Sequence, residues 1–441
     1  MNMNYDAASS GIHEGIPGRR ADVRGPHAGK QFDVLIIGGG ASGLLAACAL
    51  SRNGRRIVIL EKQSRVGRKL LSTGNGRCNF TNLNASAKDY HGSRQAVQQA
   101  LKFWPPRKVM EFFESIGIPG TADEEGRVYP LSGQAASLLD ALRLYADEQG
   151  VETLTEFAVD KLTRSKWGFT AKASDGRTVQ ANYAILCTGG LAAPKLGACG
   201  DGYKILEELG HRITPKFPAI AALKTPPEPV RGLKGIRASA EISLVSGNDI
   251  LRAERGEVLF AESGVSGIAA MQLARSFGEA QRAGKKCAVR INFLPEAANA
   301  FSLLKERRNL LPKRSMEDFL NGIVQKRLGQ TLVKAAGIEP LSRTADSLTK
   351  AEIGALADIL SGWTIPVTGV QGFDQAQVTA GGADMKDFDL RSMQSLKVPG
   401  LFAAGEVLDV DGDCGGFNLQ WAWSSALTAC DCIEQMLNER G

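Results

Sequence analysis

Three glycines and one acid near the start of the chain have the spacing of a dinucleotide-binding turn. Gly38, Gly40 and Gly43 follow the apolar run at 34–37, and Glu61 comes 18 positions after Gly43, behind a second apolar run. The first glycine allows a tight turn, the second lets the backbone approach a pyrophosphate, and the third lets a helix pack on the strand. An acid at that distance can bind an adenosine ribose. The pattern predicts a strand, turn and helix that hold NAD or FAD.

Two further buried strands are predicted to end in glycine turns. The run at 183–187 is followed by Thr188 and Gly189, and the run at 401–404 by Gly405 and Glu406. Ligands of an open α/β sheet lie beyond the carboxyl ends of its strands, so all three turns can converge on one cofactor. An ordinary nicotinamide dehydrogenase needs only the first turn. The two additional turns therefore favour FAD.

Two Gly-rich segments have the composition of cofactor-binding loops. The loop at 67–82 combines glycines, cations and amide side chains, which suits a segment that wraps an anionic cofactor. The segment 409–423 places glycines directly before a predicted helix. A helix N-terminus aimed at a flavin would stabilise the negative charge that develops when the flavin is reduced.

Length and composition are typical of a soluble globular protein with two or three domains. The chain has 441 residues and a net charge of +6 that is spread along the sequence, so we expect a small-molecule substrate and no nucleic-acid partner. Its eight cysteines show no metal or disulfide spacing, and its four histidines, two of them in or near the N-terminal tail, leave little for a metal centre or a Ser-His-Asp triad. No apolar run is long enough for a membrane span. We expect a cytoplasmic protein without a metal; its oligomeric state is open.

The pattern along the chain divides it into five segments. Helices are predicted at 97–103, 106–116, 134–149, 316–327, 350–360 and 418–438, and strands at 166–171, 177–180, 238–245, 256–261 and 287–293. We therefore expect a disordered extension at 1–31, an FAD-binding domain at 32–212 that resumes at 363–441, a β-rich insertion at 213–294 and a helical insertion at 295–362. Asp201 is interpreted as a helix N-cap.

The chain resembles the bacterial FAD-binding flavoprotein family that includes aminoacetone oxidases and bile-acid-inducible N-type proteins. Two motifs carry the resemblance, STGNGRCNFTN at 72–82 and GEVLDVDGDCGGFNLQWAWSSA at 405–426. The resemblance extends from Phe32 to the C-terminus. It implies an α/β fold, in which a Rossmann-like FAD-binding domain of the two-dinucleotide-binding-domain flavoprotein type is interrupted by an inserted β-barrel and a helical part. It implies FAD contacts from Gly38, Gly40, Ser42, Gly43, Glu61, Lys62, Arg68, Lys69, Ser72, Gly74, Asn75, Arg77, Cys78, Asn79, Val159, Thr188, Gly189, Gly405, Glu406, Gly416, Asn418, Leu419 and Gln420.

Two segments depart from the pattern of that family. Ala261-Glu262 and Ile268 stand where its members often carry other residues, and so does Ala198-Cys199. Both segments are expected near the substrate, so the resemblance does not give the substrate's identity. No catalytic residue is assigned. A redox pair formed by Cys78 and Cys414 is disfavoured, because no CxxC pair accompanies the flavin motifs.

These observations predict an FAD-dependent oxidoreductase that transfers a hydride between flavin and a small organic substrate. Oxidase and reductase modes stay open, and NAD(P)H is a candidate transient electron donor, because no second GxGxxG turn is visible. Two alternatives are a flavin-dependent RNA-modifying enzyme and a flavin-binding regulatory protein.

Overall fold

A computed structural model describes residues 31–439 and arranges them in 11 α-helices and 21 strands. The first part of the chain contains β1 (Phe32–Ile37), α1 (Ala41–Ser51), β2 (Ile57–Leu60), β3 (Thr81–Asn82), β4 (Tyr90–Gly92), α2 (Arg94–Phe103), α3 (Pro106–Ser115), β5 (Gly120–Ala122), β6 (Arg127–Pro130), α4 (Ala135–Glu148), β7 (Glu152–Leu154), β8 (Val159–Ser165), β9 (Gly168–Ala173), β10 (Thr178–Leu186) and α5 (Asp201–Glu208). The middle part contains β11 (Phe217–Ala219), β12 (Leu223–Lys224), α6 (Pro227–Val230), β13 (Arg237–Ser246), β14 (Asp249–Ala261), β15 (Gly264–Ser266), α7 (Ile268–Arg282), β16 (Cys287–Asn292), α8 (Ala300–Leu310), α9 (Lys326–Ala335), α10 (Lys350–Gly362), β17 (Trp363–Val367) and β18 (Gly369–Val370). The last part contains β19 (Val378–Ala380), β20 (Leu401–Ala403), β21 (Val410–Gly412) and α11 (Phe417–Asn438).

The first and last parts of the chain share one seven-stranded sheet. Its strands β7, β2, β1, β10 and β20 run parallel, and the β8–β9 hairpin continues the sheet along β10 in antiparallel pairing. The strands β2 and β20 are entirely buried, and only the start of β1 is not. Such continuous apolar strands are typical of a parallel sheet that is covered on both faces. This is the predicted Rossmann-like α/β core.

The middle part of the chain forms a second sheet with its own core. Its seven strands pair antiparallel in the order β17, β16, β13, β14, β15, β12 and β18. The two strands at the ends of this order, β17 and β18, are separated in sequence by Thr368 alone. The ends of the sheet therefore meet, and the sheet curls into the small barrel that the resemblance implies.

The helices α7, α8, α9 and α10 share one hydrophobic cluster with this barrel. The domain boundaries inferred from the sequence stay predictions. Because β17 and β18 pair with the insertion's sheet, we favour moving the boundary near 362 beyond Val370. Residues 1–30, which hold nearly all of the predicted disordered extension, lie outside the described part.

Two local predictions are wrong. No helix spans 316–327, because α9 begins only at Lys326 and the preceding residues form turns. The spacing of Met316, Phe319 and Leu320 imitates a helix, and all three are buried, but Gly322 has a φ of +89° that ends any helical path. The N-cap of α5 is Gly200 rather than Asp201, which is the first residue of the helix.

Candidate functional site

The turn after β1 brings the backbone of α1 against the strand end. Gly38 has a φ of +101°, which favours glycine, and a methyl group on Gly43 would overlap with the carbonyl oxygen of Gly38. Gly40, by contrast, faces open space, since a methyl group added there would meet nothing within 4 Å. It caps α1 without a side-chain hydrogen bond, and the first turn carries no acid. The N–H groups of this helix end are therefore available to an anion.

Glu61 lies at the end of β2, next to this turn. Its Oε2 atom accepts the Gly39 N–H at 2.8 Å and its Oε1 atom accepts the Gln63 N–H at 2.8 Å. The residue is 9% exposed. The two backbone donors fix the carboxylate beside the glycine turn, so the acid is already oriented by hydrogen bonds within the protein.

The three glycine turns meet at one edge of the sheet. Because β1, β10 and β20 are parallel neighbours, their carboxyl ends lie side by side. A methyl group on Gly38 would lie 3.1 Å from Thr188 Cα, and one on Gly405 would lie 2.8 Å from Ser42 Oγ. The predicted convergence of the three turns is therefore observed.

The loop at 67–82 is ordered by positive φ angles and by an ion pair. Gly74, Asn75 and Cys78 have φ angles of 56°, 55° and 57°, which places consecutive peptide groups in unusual orientations. Lys69 Nζ lies 2.6 Å from Glu406 Oε2. The loop thereby reaches from the turn after β2 to the turn after β20.

The start of α11 lies against the end of the same loop. A methyl group on Gly416 would lie 2.7 Å from Asn79 Oδ1 and 2.6 Å from Thr81 O, so only glycine fits there. The side chain of Asn418 holds the preceding turn, accepting the Gly412 N–H at 2.8 Å and donating to Gly412 O at 2.7 Å. Like Gly40, Gly416 caps its helix without a side-chain hydrogen bond.

Several predicted site residues are engaged with other side chains or with the backbone. Gln420 is fully buried and binds Thr81, Trp104 O and Ser424 Oγ, so its side chain supports α11 and is not free for a ligand. Four other predicted site residues contact neighbours within the protein: Lys62 binds Asp201, Arg68 binds Gln63, Ser72 Oγ binds Lys69 O, and the Arg77 guanidinium lies over the Tyr129 ring. Of the others, Val159 is the first residue of β8, Gly189 follows Thr188, and Leu419 lies in the first turn of α11.

Two buried polar atoms in this region test whether FAD fits. Among residues 31–439, Thr188 Oγ1 and Asn79 Oδ1 are buried and have no hydrogen-bond partner. A buried polar atom without a partner costs about 1–3 kcal/mol, so such atoms mark positions where a ligand can compensate. Together with the two uncapped helix ends and the open space at Gly40, they fit an elongated, anionic, hydrogen-bond-rich cofactor. The residues present therefore fit FAD, although each individual contact stays a proposal.

Three residues of this region were missed by the sequence analysis. Gly39 donates to Glu61, and Gly190 has no room for a side chain because Thr379 Oγ1 and Glu406 lie against it. Thr379 donates its N–H to Glu406 Oε1 at 2.9 Å and accepts the Leu191 N–H at 2.8 Å. The glycine runs contained a signal for Gly39 and Gly190. No local motif pointed to Thr379, which reaches the site only through the β11–β19 pair.

The structure shows the surroundings of the two cysteines and of the two divergent segments. Burial raises the pKa of Cys78 to about 11 and that of Cys414 to about 12, which keeps both as thiols at neutral pH. Glu262 pairs with Lys234 on the surface, Ile268 is 54% exposed, and Cys199 is exposed. Their orientation toward a substrate stays a prediction.

Converging strand-end turns, a fixed acid after β2 and two uncapped helix ends define the class: a dinucleotide-dependent oxidoreductase of the flavoprotein type. The profile of the family described as HI0933-like protein Rossmann domain matches residues 32–432. The chain therefore belongs to this family and is an FAD-dependent oxidoreductase, as the resemblance implied.

Three known proteins are similar to this chain over nearly all of its length. The 3-dehydro-bile acid delta(4,6)-reductase of Clostridium scindens is 36% identical over 89% of this chain and 97% of that protein. The ribosomal RNA dihydrouridine synthase of Escherichia coli is 31% identical over 90% of this chain and 96% of that protein. The crystal structure of 3-ketosteroid delta1-dehydrogenase from Sterolibacterium denitrificans covers 92% of this chain and 100% of its own, with a TM-score of 0.51 at 12% identity, and shows the shared fold.

Within residues 31–439, helices long and apolar enough to cross a bilayer are absent.

Proposed function

We propose that this enzyme transfers a hydride from reduced flavin to a carbon–carbon double bond conjugated with a carbonyl group. Two relatives support this reaction class. The name of the 3-dehydro-bile acid delta(4,6)-reductase describes reduction of double bonds that are conjugated with the 3-oxo group. Dihydrouridine, the product of the second relative, is uridine whose 5,6 double bond, which is conjugated with a carbonyl group, has been saturated. Their substrates differ in size and charge, but the bond that is reduced is of the same type.

The observation that carries the proposal is the start of α11. Gly415 and Gly416 remove side chains from this helix end, and Asn79 Oδ1 faces it without a partner among residues 31–439. Bound FAD supplies the hydride from its N5 atom. The protein would orient that cofactor and offer helix N–H groups where negative charge collects when the flavin is reduced.

We propose the remaining FAD contacts as the sequence analysis gave them, with two refinements. Glu61, fixed by Gly39 and Gln63, would bind the adenosine ribose. Gln420 would act by holding α11, because its amide is already hydrogen-bonded. NAD(P)H is proposed as the transient electron donor. A cytoplasmic location is supported by the eight cysteines, all of them free.

Anaerobic stopped-flow mixing tests this function. The purified enzyme is reduced with NADH or NADPH and then mixed with a panel of cyclic enones, including 3-oxo steroids, and of saturated ketones as matched controls. Reoxidation of the flavin by enones, but not by the saturated ketones, supports the proposal. A separate mix with oxygenated buffer shows that the reduced flavin can be reoxidised. If the enones then reoxidise it no faster than the saturated ketones, the proposed reaction is wrong.

A second candidate, reduction of uracil in a structured RNA, is favoured by one surface of the insertion. A cleft of about 330 Å³ between α6 and α9 is lined by Arg231, Gly232, Arg327, Gln330, Thr331 and Lys334. None of its three cations takes part in an ion pair with another described residue, whereas the neighbouring Lys326 is paired with Glu317 and Asp318. Such cations can bind RNA phosphates.

The variant Arg327→Gln/Lys334→Gln separates this candidate from the first. With RNA as substrate, it should weaken RNA binding at low salt and lower dihydrouridine formation, whereas Lys326→Gln should have little effect. Mass spectrometry of the treated RNA measures the product. Absence of dihydrouridine, together with equal RNA binding by both variants, would leave the small-molecule enone as substrate.

A further inference from the structure

An ion pair joins the insertion to the segment that leads into α11. Asp411 lies in β21 and is 1% exposed, and its carboxylate accepts two hydrogen bonds from Arg275 Nε, at 2.8 and 3.1 Å. Arg275 belongs to α7 of the insertion, and its side chain is 11% exposed. A buried ion pair of this geometry fixes the distance between α7 and β21, because without Arg275 the carboxylate of Asp411 would be buried without its cation.

Beside this pair, five groups form a closed ring. Arg252 Nη2 lies 2.9 Å from Asp413 Oδ2 and 2.6 Å from Glu254 Oε1. The other Glu254 oxygen accepts the Gln272 amide N–H at 2.8 Å. Gln272 Oε1 accepts the backbone N–H of Cys414 at 3.0 Å, and the chain itself closes the ring from Cys414 to Asp413.

The charges in this ring favour its ionised form. Burial alone would raise the pKa of Asp413, but the hydrogen bond to His91 and the charge of Arg252 outweigh it and hold that pKa below its ordinary value. His91, in β4 of the FAD-binding domain, has its Nε2 atom 2.9 Å from Asp413 Oδ1 and 3.3 Å from Arg252 Nη1. The carboxylate is thus held between the FAD-binding domain and the insertion.

The turn that the ring holds has little freedom to move. On one side it is fixed by Asn418, which binds both polar groups of the Gly412 backbone. On the other side it is fixed by Gln272, through Cys414. Directly after it, Gly416 is packed so closely on Thr81 O and Asn79 that a methyl group would overlap. A displacement of the insertion must therefore displace the start of α11.

We propose that Gln272, Glu254 and Arg252 are positioning residues for the flavin-facing start of α11, so that the insertion adjusts the electronic environment of the cofactor. This inference rests on the proposed position of FAD. The ring acts through Asp413 and through the Cys414 N–H, and none of its three insertion side chains needs to touch the cofactor.

The variant Gln272→Leu tests the ring, because leucine keeps much of the volume but removes both hydrogen bonds. We expect the dissociation constant of FAD to rise roughly tenfold, as for the loss of one or two hydrogen bonds. We also expect the flavin absorption band to change shape and the reduction potential to become more negative. The control is Glu257→Gln. Glu257 lies on the same strand as Glu254, but its exposed ion pair with Arg237 is outside the ring.

A rescue variant separates positioning from general damage. In Glu254→Gln/Gln272→Glu the carboxylate and the amide exchange places, so that Cys414 keeps an acceptor and the amide–carboxylate hydrogen bond is restored. Its flavin spectrum and potential should return toward those of the unmodified enzyme, while Gln272→Glu alone should not. Thermal unfolding of each apoprotein shows whether a variant has lost its fold.

The outcomes distinguish this inference from the proposed function. If the unmodified enzyme binds FAD, but Gln272→Leu has the same spectrum, potential and FAD dissociation constant as Glu257→Gln, the positioning inference is wrong and the proposed function stands. If the unmodified enzyme does not bind FAD, the cofactor assignment fails and the inference fails with it. If Gln272→Leu does not fold, an unrestored spectrum in the folded rescue variant overturns the inference.

Discussion

The edge of the parallel sheet and the junction with the insertion are neighbouring regions that are stabilised differently. At the sheet edge, glycines bring backbones so close together that a side chain cannot enter, as at Gly38 and Gly43. At the junction, buried charges hold the two parts of the chain, as in the pair of Arg275 with Asp411. The sheet edge should therefore be sensitive to added volume, and the junction to the loss of a charge.

The largest effect is expected from Gly43→Ala. The added methyl group would overlap with the backbone carbonyl of Gly38, which cannot move without displacing β1. We expect FAD binding to be lost and the free energy of unfolding to fall by about 4 kcal/mol, the upper end of what overpacking costs. Urea unfolding and FAD absorbance measure both. The matched control is Gly354→Ala inside α10, where a methyl group meets nothing within 4 Å; it should stabilise the protein by about 0.5–1 kcal/mol. Equal behaviour of the two variants would contradict the packing argument.

A smaller effect is expected from Arg275→Leu at the junction. It leaves the carboxylate of Asp411 buried without its cation, which typically costs about 3 kcal/mol or more. The control is Glu279→Gln, since Glu279 contacts the same arginine from the surface and its side chain is 60% exposed. Denaturant unfolding of both variants and of Arg275→Leu/Asp411→Asn measures the difference. The double variant should recover part of the loss, because it removes the buried charge. Without such recovery, charge burial is not the cause.

The smallest effect is expected from Glu352→Gln, which removes the charge of a partly exposed ion pair. The Arg343 guanidinium and the capping box with Thr349 lower the pKa of Glu352 to about 2. Because the folded state prefers the ionised form, its stabilisation is present above pH 4.5 and is lost as the pH falls toward about 2. The variant should be less stable at pH 7 by about 1 kcal/mol or less, since the pair is partly solvated, and the difference should vanish near pH 2. Thermal unfolding between pH 7 and pH 2 measures this, with Asp358→Asn on the same helix as control. A difference that persists at pH 2 would point to packing instead of charge.

Local patterns predicted the segments that we propose bind FAD. The turn at 38–43, the acid at 61, the loop at 67–82 and the helix after Gly416 are all visible in the sequence as glycines and acids at fixed distances from apolar runs. These features depend on residues that are neighbours in the chain, so spacing alone predicts them. The same local reasoning failed at 316–327, where buried apolar residues with helical spacing lie in turns, because Gly322 takes a positive φ.

The sequence by itself thus determined the fold class, the cofactor class and the family resemblance. Only the tertiary structure decided how Thr379 reaches Glu406, how Thr368 joins the two ends of the inserted sheet, and how Arg275 reaches Asp411 across 136 positions. These contacts join residues whose separation in the chain carries no periodic signal. A hydrogen bond or ion pair between them exists only after the sheets have packed, because packing sets both the distance and the burial that make the contact strong.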